Sequence, residues 1–165
     1  MADGLLFTLT LFSALGCGLI AGVFFAFSAF VMEALARLPQ PQGVAAMQSI
    51  NVVVINPLFM AAFLGTAAAC VVLAILSLFT WNKPGAAYLL AGSLLYVAGT
   101  FLVTMACNVP LNDALAVVKP DGAEGASVWA GYITRWTTWN HVRTGAALAA
   151  AASLTIALCR LRSPG

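Results

Sequence analysis

Long runs without a single charge constrain this chain more than any other feature. No Asp, Glu, Lys or Arg stands between Asp3 and Glu33, between Arg37 and Lys83, or between Lys83 and Asp113. Each run exceeds the roughly 20 apolar residues that a helix needs to cross a hydrocarbon core about 30 Å thick. The chain is 62% hydrophobic and 7% charged, whereas soluble chains carry about 25% charged residues. A soluble domain is thereby excluded.

The expected fold is all-α: an integral membrane four-helix bundle, one domain over residues 1–165, with short interfacial helices in its two longer connections. The spans are expected at about 4–32, 57–80, 85–108 and 139–160. Asn56-Pro57 supplies an N-cap and a first-turn proline for span two. Trp81-Asn82-Lys83-Pro84-Gly85 reads as a tight turn that makes spans two and three antiparallel neighbours. Pro110 is expected to end or kink span three. Nothing marks the first span as a cleaved signal peptide, because Met1-Ala2-Asp3-Gly4 lacks a basic n-region.

Both termini and the tight turn share one membrane face, with Lys83, Arg160 and Arg162 opposed only by Asp3. The opposite face receives the connections 33–56 and 109–138, which carry charges of both signs. Lys and Arg nearly balance between the faces, and both termini are expected in the cytoplasm. A net charge of +2 with no basic patch offers nothing to nucleic acid. Cys17, Cys70, Cys107 and Cys159 read as free thiols acting as small hydrophobes. The segment Val44 to Val54 suggests a short interfacial helix, and Trp129 and Tyr132 an aromatic belt. Met32-Glu33-Ala34-Leu35-Ala36 is weakly echoed by Asn112-Asp113-Ala114-Leu115-Ala116.

Polar groups are expensive in such a chain, so function is to be sought where they gather. They gather at span ends: Glu33, Asn51, Asn108, Asn112 and the run Trp139-Asn140-His141-Val142-Arg143. On span one, Ala14, Gly18, Gly22 and Ala26 form a small-residue stripe suited to a close helix contact. Following that face reaches Glu33, which is expected on the packed side; the alternative is a surface acid pairing with Arg37 one turn on. Span three carries Tyr96, Thr100, Thr104 and Asn108 at steps of four, either a pocket wall or an interhelical hydrogen-bond ladder. If Thr137 or Thr138 caps span four, Trp136, Asn140 and Arg143 share one side of it. An arginine within the membrane costs roughly 2.5–3.5 kcal/mol unless it snorkels or is paired. Glu33 and Asp113 are the candidate partners for a structural ion pair, and the other reading makes Arg143 an anion- or oxygen-binding group.

His141 is the only histidine, with no His-x-x-x-His, Glu-x-x-His or Cys cluster beside it. No metal ligands are assigned and no cofactor is predicted; a haem or copper would need help from Met47, Met105 or Cys107.

Four segments resemble the DUF1772, or anthrone oxygenase-like, family of small membrane proteins. They are Gly18 to Ser28 running into Val31-Met32, then Met47-Gln48-Ser49-Ile50-Asn51, Asn108-Val109-Pro110-Leu111-Asn112, and Trp136-Thr137-Thr138-Trp139-Asn140-His141-Val142-Arg143. The resemblance implies a four-helix membrane bundle and oxygenase chemistry, since members are associated with oxidising anthrones to anthraquinones. Where the family pattern commonly has Pro after Val-Met, this chain has Glu33.

The expected function is therefore a membrane oxygenase for a hydrophobic phenolic or anthrone-like molecule. In that reading Arg143, Asn140 and Asn108 stabilise an oxyanion, and His141 or Glu33 takes the proton. Trp136, Trp139 and Phe27 stack on the rings, and Asn51, Asn112 and Thr104 complete the binding set. The alternatives are a non-catalytic binding or transport protein, which four spans would require to be homo-oligomeric, or a subunit of a larger membrane complex.

Overall fold

The structure is a computed structural model that describes residues 2–122 and 125–162. Ala123 and Glu124, in the Gly-rich connection noted above, lie outside the described residues, as do the side chains of Asp3 and Arg162. Five helices account for nearly all of the chain: α1 (Gly4–Ala36), α2 (Gln40–Val53), α3 (Pro57–Phe79), α4 (Ala86–Ala116) and α5 (Gly125–Arg162). Four of them, all but α2, are long and apolar enough to cross a membrane, so this is an integral membrane bundle. α5 packs along α1 and α4, and α3 packs against the same two helices, closing a four-membered ring.

Local chemistry explains several boundaries. Asn56 caps α3 by accepting the Phe59 N–H at 3.0 Å, with Pro57 at the first helical position. The turn into α4 closes on Gly85, whose φ of 94° only glycine adopts without strain. An added Cβ there would also meet the Ala157 carbonyl oxygen at 3.2 Å.

Three helices run further than the expected spans. α1 continues through a widened π turn at Phe27–Val31, where the Met32 N–H bonds to the Phe27 carbonyl, and ends at Ala36. α4 is not ended by Pro110: it passes through π turns at Leu95–Leu102 and Thr104–Asn108 and reaches Ala116. The Val109 N–H bonds five residues back to Thr104, and this wide turn makes room for the ring that follows it. In α1 the echoed segment directly follows a π turn, and in α4 three residues separate the two. α5 begins at Gly125, some way before the expected start at 139, so Thr137 and Thr138 lie inside a helix rather than at its cap. The second connection thus holds extensions of α4 and α5, and the first holds the separate short helix α2.

α2 lies across the end of the bundle opposite the tight turn. Gln48 Nε2 donates to the carbonyls of Leu115 (2.8 Å) and Val118 (2.9 Å), satisfying groups freed where α4 ends. Val44 and Met47 are fully buried against Met32, Leu35, Leu115, Trp129, Tyr132 and Trp136. Gly43 allows this seat, since a Cβ there would come within 2.8 Å of the Trp129 ring. A second apolar cluster fills the rest of the bundle, with Cys17, Ile20, Cys70, Leu73, Tyr96 and Leu154 at its centre.

Candidate functional site

Between α2 and the four-helix ring lies a cavity of about 280 Å³. Its walls are mainly apolar and aromatic: Phe24 and Phe27 from α1, Phe59 and Phe63 from α3, and Trp136 from α5. Met47, Ile50, Asn51 and Val54 of α2 roof it, and Thr104, Met105, Val109 and Asn112 of α4 close another side. Ile55 and Met105 belong to this wall yet are 71% and 50% exposed, so the cavity opens sideways between the start of α3 and α4.

Arg143 is the one cation on that wall, and it is 3% exposed. Its Nη2 donates to Asn140 Oδ1 at 2.7 Å and its Nη1 to Thr104 Oγ1 at 3.3 Å. The guanidinium carbon lies 4.2 Å from the Phe24 ring centre and 4.9 Å from that of Trp136, within cation–π range. Its Nε–H is buried with no partner. Neither expected carboxylate reaches it. Glu33 is exposed and bonds Arg37 at 2.9 Å, and Asp113 is exposed at the far side of its helix. Among the described residues the buried guanidinium is held entirely by neutral groups.

The second rank of residues fixes the first. Asn140 is fully buried, and its Nδ2 donates to the Phe24 carbonyl and to Ser28 Oγ, both at 2.7 Å. It therefore anchors α5 to α1 while its oxygen holds the guanidinium. The Thr100 hydroxyl reaches the Arg143 carbonyl at 3.4 Å, and Asn108 Nδ2 donates to the Trp136 carbonyl at 3.2 Å. Both contacts tie α4 to α5, and Asn108 Oδ1 is left without a partner. Tyr96, Thr100 and Asn108 are fully buried, and Thr104 lines the cavity. A four-residue step on an α-helix overshoots a full turn by about 40°; the wider π turns undershoot and keep this polar line on one side of α4.

A third polar group closes the α2 end. Asn112 Oδ1 accepts from Tyr132 Oη at 2.8 Å and from Trp136 Nε1 at 2.9 Å, and Asn51 Nδ2 lies 3.5 Å from the Tyr132 hydroxyl. Trp129, Tyr132 and Trp136 stack in succession, with ring centres 5.7 and 6.3 Å apart, and Phe27 tilts against Trp136 at 5.5 Å.

Of the residues singled out from the sequence, Arg143, Thr104, Asn51, Asn112, Trp136 and Phe27 meet at the cavity. Asn108 and Asn140 stand directly behind it. Glu33, His141 and Trp139 lie elsewhere: all three are exposed, with His141 and Trp139 on the outer side of α5. Of the small-residue stripe only Ala14 is buried in the packed face of α1. Gly18 and Gly22 are exposed with open space beside them, and the buried face runs through Ser13, Cys17, Ile20 and Phe24. Other contributors escape a reading of the sequence: Tyr132 reads there as part of a surface belt, and Phe24, Phe59 and Phe63 carry no signal of their own. The spacing 129, 132, 136, 140, 143 is itself a helical stripe, which places Tyr132 on the same face as Arg143. Among the described residues no three His, Cys, Asp or Glu side chains gather closely enough to hold a metal ion.

Fold and site together define a class: a multi-pass membrane protein whose helices hold a buried, uncompensated cation against a ring-lined cavity with a sideways mouth. The chain belongs to the anthrone oxygenase family, whose family model matches residues 58–153. The matched stretch contains Thr104, Asn108, Asn112, Trp136, Asn140 and Arg143. No curated protein and no solved structure matches the chain.

Proposed function

We propose that this protein is a membrane oxygenase for a compact, flat aromatic molecule of the anthrone type, bound in the cavity with its oxygen at Arg143. One observation carries the reading: a guanidinium, the side chain that gives up its proton least readily, is 3% exposed, has no carboxylate beside it among the described residues, and faces an apolar cavity. An enolate or phenolate oxygen is the group that would neutralise it. The cavity volume falls near the low end of the roughly 300–1,000 Å³ typical of small-molecule sites, which suits a rigid fused-ring ligand.

The chemistry follows from that placement. An anthrone carries a CH2 group opposite its carbonyl, and loss of one proton gives an enolate that is rich in electrons at that carbon. Arg143 stabilises the developing oxyanion, and the apolar walls strengthen the interaction by excluding water. No carboxylate or imidazole stands on the wall among the described residues, so in this reading the proton leaves past the polar α2 end of the cavity to water at the membrane surface. Dioxygen is the oxidant. It adds to the enolate carbon, and the resulting peroxide takes up a proton and loses water to leave a second carbonyl. Overall, CH2 and O2 become C=O and H2O.

The exposed residues around the mouth, Val52, Val53, Ile55 and Leu58, are all apolar, which supports loading from the lipid rather than from water. Lys83 and Arg160 at the opposite end favour a cytoplasmic location for the termini, and a carboxy-terminal reporter active only in the cytoplasm checks this. The wall's lack of an acid–base residue also favours a second reading, binding without turnover. Purified protein in lipid nanodiscs with an anthrone and dissolved oxygen separates the two. The oxygenase reading expects oxygen consumption above the spontaneous rate, lost by at least 100-fold in Arg143→Met. Saturable anthrone binding with no oxygen uptake selects the binding reading.

A further inference from the structure

We infer that Asn112 is a specificity-determining residue that donates a hydrogen bond to a second oxygen of the ligand, at the Nε1 edge of Trp136 rather than at the ring face that Arg143 takes. The inference rests on the cavity being a site for a flat aromatic molecule, as proposed above, and adds what that molecule must carry.

The argument is one of hydrogen-bond inventory. A primary amide has an oxygen with two acceptor positions and a nitrogen with two donor hydrogens. Both acceptor positions of Asn112 are filled, by Tyr132 Oη at 2.8 Å and Trp136 Nε1 at 2.9 Å. An indole N–H only donates, so turning the amide over would set donor against donor. Tyr132 is fixed in the same sense, since Asn51 Nδ2 approaches its oxygen and its proton goes to Asn112. The Asn112 Nδ2 hydrogens therefore remain, with no acceptor among the described residues, on a residue that lines the cavity.

The cavity thus presents donors at two places, with the Asn51 amide beside the second. Arg143 is one and Asn112 the other. Trp136 touches both, its Nε1 on Asn112 and its ring face 4.9 Å from the guanidinium carbon. The ligand that fits has two acceptor oxygens on separate edges of a rigid ring system, a quinone-like pattern. In the proposed reaction the first oxygen is the enolate at Arg143, and the second is the one delivered by dioxygen to the opposite carbon. Asn112 then meets that oxygen as it becomes a carbonyl, which has no hydrogen of its own to donate.

The test is equilibrium binding without oxygen, using anthracene and 9,10-anthraquinone, which share a shape and differ in two opposed acceptor oxygens. Wild-type protein is expected to prefer the quinone. Asn112→Asp keeps an acceptor for Tyr132 and Trp136 but turns an acceptor toward the ligand; Asn112→Leu removes the donor altogether. Either variant is expected to cut the quinone-to-anthracene affinity ratio at least tenfold while anthracene binds as before. Because the readout is a ratio, whichever variant folds suffices. Tyr132→Phe, which frees one side of the amide without touching the ligand, should lower the ratio by a smaller factor. An unchanged ratio, an equal loss for both ligands, or no quinone preference in the wild type overturns the inference. Failure of the oxygenase reading is separately visible: the ratio shifts as expected while no oxygen is consumed.

Discussion

At the scale of single residues, the energetics of Arg143 decide what the site is for. A guanidinium at membrane depth costs roughly 2.5–3.5 kcal/mol on insertion scales. The Phe24 and Trp136 faces return part of this, at about 2 kcal/mol for a desolvated cation–π contact, and the bonds to Asn140 and Thr104 return more. None of these groups is charged, so the site is stable yet still electrostatically unbalanced. Asn140 is the residue that keeps it so, since its three contacts join α1, α5 and the guanidinium. Asn140→Leu strands the Phe24 carbonyl and one guanidinium nitrogen, and should lower stability by about 2–4 kcal/mol, read as a fall in the unfolding midpoint. By contrast, Glu33→Gln and His141→Ala alter exposed side chains away from the cavity. Oxygen uptake in either is expected within twofold of wild type, and a large loss would return the proton-abstracting role to that residue.

At the scale of elements, what was legible in the sequence was whatever follows from burial cost. The uncharged runs marked three of the four crossing helices, Asn56-Pro57 marked the start of α3, and the Tyr96–Asn108 line marked the inward side of α4. Helix continuation was not legible. Pro110 pointed to a short span three, because a rule for ordinary α-turns cannot see that a π turn relieves the proline. The early start of α5 was hidden by treating Trp129 and Tyr132 as a surface belt, although their spacing fits the Arg143 face. Glu33 misled because the small-residue stripe was assumed to be the packed one; its glycines face open space. α2 is the element that turns a bundle into a site, and Gly43 sets how closely it sits. Gly43→Val would drive side-chain carbons into the Trp129 ring and the Leu35 carbonyl. It should lift α2, and ligand affinity should fall at least tenfold while the helical circular dichroism of the bundle is kept.

At the scale of the whole molecule, the ring of four helices and α2 enclose a mainly apolar cavity, and in the proposed reading the bilayer supplies the reactant. Hydrophobic ligands partition into lipid, and the mouth between α3 and α4 opens among exposed apolar side chains. Met105 is half-exposed on that rim and unbranched, so it can yield to a passing ring. Met105→Trp should slow ligand association at least fivefold, measured by stopped-flow fluorescence in nanodiscs, with a much smaller change in equilibrium affinity. An unaltered association rate would move the way in to the α2 side. The account stands or falls on what Arg143 meets, and a structure of the protein in lipid with 9,10-anthraquinone bound reads this directly. It should place one ligand oxygen about 2.7–3.2 Å from a guanidinium nitrogen, with the ring plane between Trp136 and the Phe59–Phe63 wall. A ligand bound elsewhere, or an Arg143 turned out to pair with a carboxylate or headgroup, would contradict it.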